Sequence, residues 1–363
     1  MAYQGNKKET LERFAGWWKR KYIGRPLMRV IAYRDGYDTE LDEKLKPDKP
    51  EDLYLNAESI TERHKHYMDN HIYMADSLPS IDVNLGPGSL ALYLGSKPIL
   101  KTDTIWYEEC IEDYDEWPGF TFNPENYWWN KHKELLSICK KYSNNEYFIN
   151  MPDLIENMDI LSAMRGTENL CYDMIDNPDT VINCIEQIQN VYFKYFDAIY
   201  EIIKDKDNNM SYTSFSIYGP GRVAKVQCDF SAVMSPMQFR EFVVPSLRKQ
   251  CKDLNFSLYH LDGIDAIKHV DALMEIEELD GLQWTSGVTE PDGASQKWYP
   301  IFDKVKSAGK ALWVMIDDGT PDDWADSAER MIKRYGTEGL YLVFPEMPLK
   351  DAEKMMIRAE RHW

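Results

Sequence analysis

What the sequence lacks narrows it first. Basic side chains are outnumbered by acidic ones, 42 to 61, giving a formal net charge of −19, and no block of five or six like charges occurs. A chain so short of cationic surface is a poor partner for nucleic acid or an anionic membrane, both of which need a basic footprint. No apolar run approaches the roughly 20 residues that cross a bilayer, and the opening MAYQGNKKETLERF has no apolar signal core. Cysteine is sparse: Cys110, Cys139, Cys171, Cys184, Cys228 and Cys251, none in a CxxC pair. In a chain this long that pattern implies reduced, structural thiols and a cytoplasmic protein. GxGxxG, P-loop and GxSxG motifs are also missing, and no cysteine stands beside a histidine. The Gly-Pro-Gly stretches at 86–88 and 219–221 carry a proline that removes a donor a phosphate cradle would use, so they read as turns.

What is present is alternation. Short β-branched or aromatic runs at 147–150, 212–217, 256–259, 281–284, 311–316 and 340–344 are separated by amphipathic stretches at 237–254, 265–278, 297–307, 321–335 and 349–361. Alternating strand and helix with short connections predicts a parallel sheet with right-handed crossovers. Two upstream runs, 27–33 and 80–85, bring the strand count to eight and favour a (β/α)₈ TIM barrel with extra N-terminal and inserted helices. No repeat or Pro/Gly-rich linker divides the chain, so residues 1–363 read as one domain.

A barrel places its chemistry at the C-terminal ends of its strands. The residues there are Arg34, Asn84, Asp153, Tyr218, His260 with Asp262, Trp284 with Thr285, Asp317 with Asp318, and Glu346. His260 and Asp262 are two apart in an extended segment and point the same way, so imidazole and carboxylate can share a metal or a proton. The plainer reading has His260 hydrogen-bonded locally and Asp262 capping the next helix. Glu346 is the candidate third ligand across the mouth. His64, His66 and His71 lie in the polar helical stretch 58–73 and read as a solvated face. The eleven tryptophans read as core.

Several segments resemble the uroporphyrinogen decarboxylase-like superfamily. They are Asp76 with Asn84-Leu-Gly-Pro-Gly88 and Leu94-Gly95; Asp159 to Arg165-Gly166 with Asp173 and Asn177-Pro178; Tyr218-Gly-Pro-Gly-Arg222; Gln227-Cys-Asp-Phe-Ser231; Met234-Ser-Pro236; Phe239 to Pro245; and Tyr259-His-Leu-Asp-Gly263. The likeness covers most of the chain in order and implies a (β/α)₈ barrel and a homodimer. One branch of that superfamily decarboxylates porphyrinogens held by two arginines after the first strand. Those positions fall here on Ala32 and Gly36, with Arg34 nearby, so a polycarboxylate lacks its guanidiniums.

The other branch moves methyl groups between a corrinoid protein and a thiol or folate. Its thiol-using members bind zinc through His-x-Cys and a later Cys, and zinc lowers the thiol's pKa. Here His260 keeps its place, Asp262 stands where the cysteine belongs, and Phe344-Pro345-Glu346 occupies the later stretch.

The resemblance therefore implies a methyltransferase-like enzyme with His260, Asp262 and Glu346 around zinc or another metal. Asp76, Asp229 and Tyr218 would be its catalytic groups, with Arg34, Asn84, Arg222, Trp284 and Asp317 around a small substrate. The corrinoid comes from a separate protein, since no Asp-x-His-x-x-Gly motif is present. The alternatives are a metal-free decarboxylase of a small acid, with Arg34 or Arg222 on the carboxylate, and a ligand-binding relative that turns nothing over. A glycoside hydrolase needs paired carboxylates, and the strand ending at Tyr218 offers no Glu.

Overall fold

The computed structural model describes residues 7–37, 44–212 and 214–363. In chain order its strands are β1 (Leu27–Tyr33), β2 (His71–Ala75), β3 (Ser80–Ile81), β4 (Pro98–Leu100), β5 (Ile105–Tyr107), β6 (Phe148–Met151) and β7 (Asn209–Tyr212). They continue with β8 (Ile217–Pro220), β9 (Val223–Gln227), β10 (Phe256–Asp262), β11 (Gly281–Thr285), β12 (Ala311–Met315), β13 (Leu340–Val343) and β14 (Met347–Pro348). The larger sheet runs β14-β1-β13-β12-β11-β10-β9, parallel throughout, with β2 antiparallel on β1. A second sheet holds β3, β6 and β7 in parallel, with β8 antiparallel at its edge. The protein is thus mixed α/β with a mostly parallel central sheet.

Among the described residues the ladders do not close into one ring. At one seam the Ser77 hydroxyl takes the place of a strand partner, accepting from Val30 N–H and donating to Val30 C=O, both at 2.9 Å. At the other, Val223 N–H meets the Met210 sulfur at 3.3 Å. The run read as one strand at 212–217 is split: β7 ends at Tyr212, and β8 returns antiparallel from Ile217. β9 was not anticipated, because Lys225 and Gln227 interrupt its apolar run. Both are buried, facing inward, while Ala224 and Val226 fill the sheet's outer side.

The crossovers follow local rules. The helix Pro321–Tyr335 starts in a reciprocal Thr320/Asp323 capping box with proline in its first turn, and Gly336 ends it at φ +73°. Its Trp324, Ala325, Ala328 and Met331 form one buried stripe. The helix Lys7–Trp18 packs its aromatic face on strands of both sheets. Phe14 meets Tyr218 and Tyr341 edge-on at 5.0 and 5.4 Å, and Trp18 stacks on Phe256 at 5.2 Å. Truncating such an aromatic typically costs about 3–5 kcal/mol. No helix among the described residues is long and apolar enough to cross a membrane. All six cysteines are free, four of them buried. Burial pushes every one of their thiols upward, to about 11 for Cys110 and Cys184 and about 12 for Cys251.

Candidate metal centre and active site

Parallel pairing brings the C-terminal ends of β9, β10 and β11 side by side. β10 runs further than its apolar core suggests, so His260 and Asp262 are strand residues that share the inner face, while Tyr259 and Leu261 pack outward. Asp229 opens the 3₁₀ turn Asp229–Val233 that follows β9. One donor atom from each of Asp229, His260 and Asp262 lies within 4.8 Å of the others, and His260 Nε2 is 4.0 Å from Asp262 Oδ2.

The tautomer is set from behind. Gln283 on β11 donates its amide N–H to Thr285 Oγ1 at 2.8 Å and turns its oxygen to His260 Nδ1. Nδ1 is therefore the protonated nitrogen, and the Nε2 lone pair faces the two carboxylates. Burial lowers the His260 pKa, helped by the nearby Lys225 charge, so the ring is neutral and available as a ligand. The Asp229 carboxyl is pushed up to about 7, by loss of solvation first and by the Asp159 charge second. Asp159 is committed elsewhere. Its two oxygens accept the Asp229 and Phe230 N–H groups, each at 2.9 Å, and anchor the turn.

Under the triad lies a buried polar chain. Lys225 Nζ binds Asp153 Oδ2 at 2.5 Å and also Gln227, whose amide donates to Asp229 Oδ2 at 2.8 Å. Tyr212 donates to the other Asp153 oxygen at 2.8 Å. Each inward group thus holds the next, and rigid placement of the triad follows.

Glu346 is not in the triad; Asp229 stands in its place. The Glu346 carboxylate accepts from the Tyr67 hydroxyl, sits 3.4 Å from His71 Nε2 and 3.8 Å from Arg29 Nη2. Burial works to raise its pKa, but the Tyr67 hydrogen bond, the close His71 ring and the Arg29 charge outweigh that and hold it low. The histidine stretch is also not a solvated face. The helix ends at Asn70, His71 begins β2 and is buried, and His64 borders a cavity with Asp82.

The other nominated residues divide. Asp76 lies at the start of β1, where Arg13 and Arg25 each reach it at 2.6 Å and Met28 N–H at 3.0 Å; it sits at the N-terminal end of that strand, whereas the triad gathers at C-terminal strand ends. Arg222 is also remote, at the start of β9, paired in two-pronged fashion with Asp197 at 2.7 and 2.6 Å over the Phe193 ring. Tyr218 borders the cavity, but its hydroxyl is held by Leu78 C=O at 2.8 Å, and burial pushes its pKa up to about 12. Asn84 caps its own turn through Gly86 N–H at 3.0 Å, and Arg34 ends exposed just past β1. Trp284 is packed on Trp298 at 5.0 Å. With Asp317, Asp292 and Trp313 it borders a second hollow of about 820 Å³ beside the triad. Burial and Asp292 raise the Asp317 carboxyl.

Sequence reasoning missed Lys225, Gln227, Gln283 and Asp82, and placed His64 on a solvated face. The available signal was polar residues two apart inside otherwise apolar strands, as in Val-Ala-Lys225-Val-Gln227 and Leu-Gln283-Trp-Thr285. No family model matches the chain, and no curated protein was found that matches it.

Proposed function

We propose that this protein is a metal-assisted methyltransferase on a (β/α)₈ barrel of the uroporphyrinogen decarboxylase-like build, its strands curving round across the two seams. The observation that carries the reading is the convergence of Asp229, His260 and Asp262. A divalent cation fits them. A neutral imidazole with its lone pair turned inward is a ready ligand, and a carboxyl pushed up by its acidic neighbour is relieved by positive charge. One nitrogen and two oxygens suit zinc and equally a harder ion such as manganese, in contrast to a thiolate site.

A bound cation supplies Lewis acidity that lowers the pKa of an acceptor thiol or hydroxyl. The chain's own groups do the rest. Gln283 fixes the imidazole, Lys225 and Gln227 hold Asp229 from beneath, and the hollow beside the triad would admit the acceptor. The methyl group would come from a corrinoid carried by a separate cytoplasmic protein.

Metal titration by calorimetry tests the first step. Zinc or manganese is expected to bind at one equivalent. His260→Ala is expected to weaken binding at least on the order of a hundredfold, since even outer partners of a metal ligand are worth roughly 10–100-fold. Below about pH 7 the cation must displace the Asp229 proton, so affinity falls as pH drops. Absence of metal binding, or binding indifferent to His260→Ala, sinks the reading. Methyl loss from methylcobalamin with added thiols or folate then tests the chemistry.

The raised Asp229 carboxyl beside Lys225 favours one alternative, a metal-free decarboxylase in which Asp229 returns a proton to carbon. Carbon dioxide release that survives chelators and is lost in Asp229→Asn would identify it.

A further inference from the structure

Apart from the triad, and sharing no residue with it, lies a hollow of about 300 Å³ bordered by Arg29, His64, Tyr67, Tyr73, Asp82 and Asn150. That is the small end of the range for small-molecule pockets, roughly 300–1,000 Å³. Asn150 is 7% exposed. Its amide nitrogen is committed, donating to Asp82 Oδ1 at 2.7 Å and Ser80 Oγ at 3.2 Å, while its oxygen has no partner. With the nitrogen held, the oxygen cannot be turned away, and a buried carbonyl lacking a donor is a costly feature to keep without a purpose.

Opposite in chemistry stands Arg29. One of its amino groups meets Phe344 C=O at 3.1 Å, and the other comes no nearer than 3.8 Å to Glu346. A guanidinium with donors to spare selects a planar oxyanion. The hollow's charges are Arg29 against Asp82 and nearby Glu346, with His64 kept neutral by burial. That balance disfavours a simple anion and suits a ligand carrying both signs.

We propose that this hollow binds a compact zwitterion, its carboxylate on Arg29 and its primary or secondary ammonium between Asn150 Oδ1 and Asp82. The class is the small amino acids. The site does not depend on the metal reading, because none of its residues belongs to the triad.

Calorimetry on chelator-treated protein tests it, with glycine, L-alanine and L-serine as probes. Acetate carries only the anionic end and ethylammonium only the cationic end. A zwitterion is expected to bind measurably, and either single-ended probe roughly tenfold to a hundredfold more weakly, the value of a charged hydrogen bond. Arg29→Met and Asn150→Leu are expected to lose affinity by the same factor while the circular dichroism spectrum and metal binding at the triad persist. No binding by any of the three amino acids overturns the proposal, as does acetate binding as well as glycine. Should a variant misfold, the comparison of the two single-ended probes on the wild type decides alone. Amino-acid binding without metal binding would sink the metal reading and leave this one standing; the reverse result would do the opposite.

Discussion

Asp76→Asn is expected to lose about 3–5 kcal/mol of stability, the usual result of removing one member of a buried ion pair, with the active-site geometry otherwise unchanged. The carboxylate is 1% exposed and is the common anchor of two guanidiniums. Arg13 also ties down Ile23, Arg25 and Pro26 through their carbonyls, at 2.5, 3.0 and 3.2 Å. Neutralising Asp76 leaves two partly buried guanidiniums without their shared counter-ion where the first strand begins. Denaturant unfolding measures this directly, as a lower midpoint at unchanged slope. A variant as stable as wild type but devoid of activity would return Asp76 to the list of catalytic groups and refute its placement as a structural anchor.

Glu156→Gln should act in the opposite sense, and more strongly as pH rises. Glu156 is buried in the turn after β6, and neither carboxyl oxygen has a hydrogen-bond partner of ordinary geometry. Burial pushes its pKa well up, with Lys249 and the Asn157 amide pulling only weakly the other way. A glutamate in the unfolded chain titrates near 4.3. Below that pH both states are protonated and nothing is lost. Above it the unfolded chain releases the proton while the folded chain keeps it, so stability falls by about 1.4 kcal/mol per pH unit until the folded pKa is reached. Glutamine has no such slope. Unfolding free energies of the two proteins at pH 5 and pH 8 should therefore diverge, and a constant difference would show that Glu156 is ionised and paired.

That turn is strained as well as acidic. Ile155 and Asn157 both sit at positive φ, +53° and +52°, a conformation a β-branched residue adopts only under compulsion. The strain delivers the helix Asn157–Arg165, and with it Asp159, to the turn that carries Asp229. Cost and function thus sit on consecutive residues.

The parallel strands were legible because both sides of such a sheet are buried and its runs are almost wholly apolar. The His260–Asp262 pair was legible because period two is a strand's own geometry. What stayed hidden was whatever depends on contact between distant segments. Nothing local distinguishes Glu346, which joins Tyr67 and His71, from Asp229, which joins His260. β9 was obscured because its function, holding Lys225 and Gln227 inward, is what breaks its pattern. The reading of 58–73 as one polar helix failed for a related reason. His71 lies past the helix end, and its burial comes from pairing with β1, 38 residues upstream at Tyr33. Motif likeness also carried Asp76 and Arg222 to the mouth, whereas their partners fix them at N-terminal strand ends.

The six muted thiols have a practical consequence. The thiolate is the reacting species, and burial keeps all six native cysteines protonated at neutral pH. A cysteine introduced at Val288, which is fully exposed on the loop bordering the hollow beside the triad, would be more open to maleimide than any native cysteine. A fluorophore placed there reports on that loop in an otherwise native chain, under air, with no cysteine removed.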